Sequence, residues 1–154
     1  LLLRDNVKMH FTASAWVLNP SKNKVLMLYH NIYQSWSWSG GHADGEGDLL
    51  SVAMKEVKEE SGLVSLKPLS DSPISIEILG VQPHYKKQKY VSAHLHLNYT
   101  FLLHNTKEEK LKICPEENSK VGWLSPDEAV RSSTEAWMKP IYKKLNQKMR
   151  KYLG

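Results

Sequence analysis

The chain has 154 residues, 41% hydrophobic and 24% charged, with a formal net charge of +5. That length supports one domain, residues 1–154, with a buried core, and no apolar run reaches membrane-spanning length, so a membrane partner is not expected. The single cysteine, Cys114, excludes an internal disulfide and supplies no metal-knuckle spacing.

Val7 to Leu18 reads as an opening strand, with His10, Thr12, Ser14 and Trp16 alternating with Phe11, Ala13, Ala15 and Val17. The cluster Asn19-Pro20-Ser21-Lys22-Asn23-Lys24 is a turn. Val25 to His30 is a second strand whose near-continuous apolar run suits a central position. Trp36-Ser37-Trp38-Ser39 is a short extended piece leading into Gly40-Gly41.

A helix follows. Asp48 is placed as its N-cap before Leu49, and Gly62 as the left-handed residue that ends it after Ser61. At 100° per residue, Leu49, Leu50, Ala53 and Val57 form an apolar stripe, and Glu56, Glu59 and Glu60 fall on or beside its flank. A carboxylate at the margin of a buried stripe is costly unless compensated. Glu56 and Glu60, four apart, also repel. A hard divalent cation answers both problems, because such ions take carboxylate oxygens and share them with phosphates.

Beyond the helix, Pro68 to Pro73 is a loop and Ser75 to Gln82 a strand with Ile74, Ile76 and Ile78 on one phase. Pro83 to Tyr90 reads as a hairpin loop bearing Lys86, Lys87 and Lys89. Val91 to His104 is a long strand with His94, His96, Asn98 and Thr100 on one face and Leu95, Leu97, Tyr99 and Phe101 on the other. His94 and His96 are read first as structural or solvent-facing. Substrate contact is the functional alternative, and a zinc site would require at least a third ligand. Lys107 to Lys120 is a charged loop, Val121 to Leu124 a final strand, and Ser125-Pro126 the cap and first residue of a short helix. The terminal helix is expected over about 134–152, packed on the sheet through Trp137, Ile141, Leu145 and Met149.

The stretch 41–63, GHADGEGDLLSVAMKEVKEESGL, closely resembles the Nudix box, G-x5-E-x7-R-E-U-x-E-E-x-G-U, with U a bulky aliphatic. Gly41, Glu56, Val57, Glu59, Glu60, Gly62 and Leu63 match, seven of the nine defined positions. Two depart: Gly47 stands at the family Glu and Lys55 at the family Arg. Lys55 keeps the charge but loses the planar fork that grips a carboxylate at two points. Glu46 lies one residue early, and a one-residue loop extension is expected to let it stand in for the missing Glu. The segment GWLSPDEA, with the order of strands around the box, extends the resemblance over most of the chain.

The resemblance implies an α/β fold, a Nudix-type α/β/α sandwich with a mixed central sheet. It implies a Mg²⁺- or Mn²⁺-dependent pyrophosphohydrolase cleaving a nucleoside diphosphate linked to another moiety. Glu56, Glu59 and Glu60 are the implied metal ligands, with the backbone carbonyl of Gly41 and either Glu116 or Glu117. Glu56 is a ligand or a base, held by Lys55. Trp36, Trp38, His94 and His96 are substrate-contact candidates. The departures at Gly47 and Lys55 leave a nucleotide-sensing module as the alternative, and the basic loop and tail leave RNA-end processing as another. The expected partner is a small nucleoside diphosphate derivative, with nucleic acid left open but not favoured and a homodimer left open. Leu1-Leu2-Leu3 is too short for a signal peptide's apolar region, so a cytoplasmic setting is expected.

Overall fold

The protein is described by a computed structural model over residues 2–3 and 8–154. The first strand, β1, runs over Met9–Leu18; the expected start at Val7 lies outside the described residues. β2 (Val25–His30), β3 (Ser35–Ser37) and β4 (Ser39–His42) follow, then α1 (Leu49–Ser61). Next come β5 (Leu66–Pro68), β6 (Ser75–Val81), β7 (His84–Lys86), β8 (Lys89–Val91) and β9 (His94–Asn105). β10 (Asn118–Leu124), α2 (Pro126–Ser132) and α3 (Lys139–Leu153) complete the chain.

Eight strands make one mixed sheet in the order β10-β2-β1-β9-β5, with β3 on β2, β4 on β1 and β6 on β9. β1 and β9 lie parallel in register from Met9↔Leu95 to Leu18↔His104; every other pairing described in this sheet is antiparallel. Side chains alternate across a strand, so β1 feeds two cores. Ala13, Ala15 and Val17 join Leu26, Phe101 and Leu103 beneath Val52, Ala53 and Val57 of α1. Trp16 and Leu18 join Met27 and Leu102 on the opposite face, covered by Ala129 of α2 and by Tyr142, Leu145 and Met149 of α3. The result is helix, sheet, helix, the α/β sandwich that the resemblance implies.

The second face turns polar along β1 and β9. Thr12 Oγ1 donates to Asn98 Oδ1 at 2.9 Å, and Asn98 Nδ2 reaches Ser14 Oγ at 2.9 Å and Thr100 Oγ1 at 3.1 Å. Ser14 and Thr100 hydroxyls meet at 2.8 Å. All four residues are buried, so their hydrogen bonds to each other replace those lost to water.

Both caps of α1 fall where the sequence places them. Asp48 Oδ1 accepts from Ser51 N at 3.2 Å, and Gly62 sits at φ 78° with its N–H on Lys58 O at 3.0 Å. The basic loop is a hairpin, with Lys87 and Gln88 both at positive φ, the conformation of a type I′ turn.

Three expectations need correction. The terminal helix starts at Lys139, not near 134: Pro140 lies in its first turn, and its ring would clash with the preceding turn of a longer helix. Trp137 therefore lies outside the helix and is 57% exposed rather than packed on the sheet. Pro68, expected to open a loop, instead ends the short strand Leu66–Pro68 on the end of β9. The isoleucine phase of β6 holds as expected, and Ile76 and Ile78 on it face outward, 56% and 67% exposed.

Candidate active site

α1 lies across β4, and Gly41 there sets the distance. A Cβ on Gly41 would stand 2.5 Å from Glu56 Oε1 and 2.8 Å from its Cγ. The Glu56 side chain thus occupies the space that any residue other than glycine would need. One turn on, Glu60 is buried at 6% exposure. Its Oε1 accepts from Ser39 Oγ at 2.8 Å and from Gly40 N at 3.1 Å. Burial, and then the charges of Glu56 and Glu117, push its carboxyl up to about 8, against the two hydrogen bonds that favour the charged form.

Glu117 comes from the loop before β10. Its N–H donates to Cys114 O at 2.8 Å, and its carbonyl accepts from Asn31 N at 3.0 Å. Next to it Asn118 bridges loop and helix: Nδ2 donates to Glu60 O at 3.0 Å and Oδ1 accepts from Cys114 N at 3.2 Å. Of the two acidic loop residues, Glu117 is the one whose charge acts on Glu60; Glu116 is exposed. His30, for which the sequence suggests no role, also feels Glu117: burial lowers its pKa and Glu117 opposes that shift.

Glu59 and Lys55 lie on the outer side of α1, paired with each other at 3.9 Å with most of both side chains in water. Such a pair is worth about 0.5 kcal/mol. Lys55 thus reaches Glu59, four residues on. Glu46 does not take the place of the missing Glu: it is exposed, and its Oε1 accepts from Asp48 N at 2.9 Å, turning back on its own loop. A Cβ on Gly47 would meet no atom within 4 Å, so open space stands where the family carries a carboxylate.

The remaining candidates lie elsewhere. Trp36 packs edge-on against Tyr29 at 5.9 Å, and Trp38 against Tyr142 at 5.6 Å, both beside the core under α3. Trp38 N also donates to Tyr142 Oη at 3.2 Å. His94 and His96 join His10 and His42, two residues that sequence reasoning does not connect to them. Their only sequence signal is four histidines spread over three strands whose pairing is non-local.

Like charge gathers around the buried Glu60 carboxyl, where Glu56 and Glu117 both oppose its ionisation. Oxygen donors of this kind, one of them buried, suit a hard divalent cation. The helix that carries Glu56 and Glu60 thus lies across the strand that holds Gly40 and Gly41 in the mixed sheet. Residues 8–145 match the family model described as NUDIX domain. The chain belongs to the Nudix family.

Solved structures of similar fold include a Caenorhabditis elegans Ap4A hydrolase in a binary complex, at 18% identity and TM-score 0.67, covering 90% of this chain and 96% of that one. A Nudix-family hydrolase from Clostridium perfringens follows at 17% and 0.66, covering 92% and 96%. The Escherichia coli dihydroneopterin triphosphate pyrophosphohydrolase stands at 16% and 0.63, covering 87% and 92%. At these identities the likeness is one of fold. No curated protein sequence matches significantly.

Proposed function

We propose that the protein is a divalent-metal-dependent pyrophosphohydrolase that cleaves a nucleoside diphosphate linked to another group. The observation that carries this reading is Glu60: a buried carboxylate held by Ser39 and Gly40 while Glu56 and Glu117 crowd it with like charge. Glu56, Glu60 and Glu117 would hold Mg²⁺ or Mn²⁺ with the Gly41 carbonyl, and Glu59 would join from the outer side of the helix. A cation bound there offsets the diphosphate's negative charge and acidifies a water. The chain's own part is positional. Ser39 and Gly40 fix one oxygen of Glu60, so its orientation costs nothing at the moment of reaction. Gly41 admits Glu56 against the strand. Asn118 ties the Glu117 loop to the last turn of α1.

The relatives named for Ap4A and for dihydroneopterin triphosphate act on small phosphoanhydrides, and a substrate of that class fits the proposed chemistry. A second reading, a nucleotide-binding module without turnover, draws on Glu46, Gly47 and Lys55. The first turns away from the site, the second carries no carboxylate and the third pairs outward. One experiment separates them: nucleotide release from a panel of nucleoside diphosphate derivatives with and without Mg²⁺ or Mn²⁺, with Glu60→Gln alongside. Metal-dependent turnover lost by about a hundredfold or more in Glu60→Gln supports the hydrolase. Nucleotide binding by calorimetry with no turnover on any substrate replaces it with the module.

A further inference from the structure

Four of the chain's seven histidines meet on the face of the sheet opposite Glu56. The strand register brings them together. His10 on β1 pairs with His96 on β9, and Thr12, two residues along from His10, pairs with His42 on β4. Residues paired across strands share a face, and those two apart on a strand do too. Gly41 faces Glu56 on one side of β4, so its neighbour His42 faces the other. The ring centroid of His10 lies 4.9 Å from that of His42, 4.9 Å from that of His94 and 4.7 Å from that of His96.

We propose that His10, His42 and His96, with His94 beside them, form a nitrogen-donor site for a borderline transition-metal ion, Zn²⁺ foremost. The ligating nitrogens of His10, His42 and His96 all lie within 4.8 Å of one another. His94 Nε2 and His96 Nε2 stand 3.1 Å apart, close to the edge of about 3.3 Å that a tetrahedron of Zn–N bonds near 2.0–2.1 Å requires. A turn of the half-buried His42 ring would bring its nitrogen toward the same spacing. His94 is already oriented: its Nδ1 lies 2.9 Å from Ser92 O. A carbonyl only accepts, so Nδ1 carries the proton and Nε2 is left as the donor lone pair, the arrangement common around metal-bound imidazoles. His10 is buried and the other three are half-buried.

Ligand chemistry separates this site from the carboxylates. Imidazole nitrogens select Zn²⁺ and its neighbours, whereas carboxylate oxygens suit Mg²⁺ and Mn²⁺. The two sites flank a single strand, β4, through consecutive residues. The histidine site does not depend on the hydrolase reading.

The test is a titration of chelator-stripped protein with Zn²⁺ and with Co²⁺, in excess Mg²⁺ to occupy oxygen donors. The expected result is one equivalent bound by the wild type and by Glu60→Gln alike, with the intense visible bands of four- or five-coordinate Co²⁺. His42→Ala and His96→Ala each weaken binding by about tenfold or more, and the double variant abolishes it, with folding of each followed by circular dichroism. No stoichiometric uptake by the wild type, a weak six-coordinate Co²⁺ spectrum, or uptake retained by the folded double variant would overturn the proposal. The wild-type spectrum decides the matter even where a histidine variant fails to fold. Turnover is not the readout, so failure here leaves the hydrolase standing, and loss of turnover leaves this site standing.

Discussion

Two glycines of the box, one on β4 and one in the loop after it, answer a methyl group in opposite ways. At Gly47 a Cβ meets nothing within 4 Å, whereas at Gly41 it would stand 2.5 Å from Glu56 Oε1. The obstacle at Gly41 is the end of a flexible side chain, so the structure yields by moving the carboxylate rather than by unfolding. Gly41→Ala is therefore expected to cost less than about 1 kcal/mol in thermal unfolding while weakening Mg²⁺ affinity by about tenfold or more. Gly47→Ala should change neither. Equal Mg²⁺ affinity in the two variants would remove Glu56 from the site. At Glu60 the expectation concerns pH. Its carboxyl is raised in the folded state from 4.5 to about 8, so the folded state holds its proton where the unfolded chain has lost it. Below pH 4.5 both states are protonated and the raised pKa costs nothing; as pH rises to 8 stability falls, and above 8 the full ionisation penalty applies. A shift of that size is on the order of a few kcal/mol. In metal-free protein, Glu60→Gln should match wild type below pH 4.5 and melt higher above pH 8, and Mg²⁺ should recover wild type alone. Parallel melting curves across that range would contradict the burial argument.

At the scale of elements, local chemistry makes α1 legible to its last residue. Asp48 and Gly62 each carry a capping signal within the helix's own neighbourhood, and both act as caps. Gly62 at φ 78° would place a Cβ 3.1 Å from Lys112 Cβ, so Gly62→Ala suffers both backbone strain and a close contact. A loss of about 1 kcal/mol or more is expected, a drop of about 2–4 °C in melting temperature. An unchanged melting temperature would contradict both the strain and the contact. The start of α3 is obscured in the sequence because the apolar recurrence at fours, which runs from Trp137, outweighs the proline signal at Pro140. The choice between Glu116 and Glu117 is not legible there at all. It depends on the loop's attachment to Glu60 O through Asn118 and on the register shift between Asn118 and Lys120 in β10. Neither leaves a mark on the local sequence.

For the molecule as a whole, the limits of sequence reading follow contact distance. The carboxylates of the box are close in sequence and share one helix, so spacing alone groups Glu56 and Glu60. The histidines come from three strands, and only the pairing of β1 with both β4 and β9 makes neighbours of His10, His42 and His96. Alternation places His10 and Thr12 on one face of their strand and His94, His96 and Asn98 on one face of theirs. It cannot say that the two faces are the same one.

The buried ladder of Thr12, Ser14, Asn98 and Thr100 also bears on how the chain finds this alignment. Sliding β1 by two residues along β9 would leave every side chain on its original face, so apolar patterning does not forbid the slip. The ladder does, because a displaced Asn98 would lose partners that water cannot replace. It acts as a combination that only one alignment opens, and misaligned strands are released rather than trapped. Replacing Asn98 with Leu should therefore slow refolding and give β1 and β9 a second set of amide resonances. A single set with wild-type refolding kinetics would place the choice of alignment in the apolar layers instead.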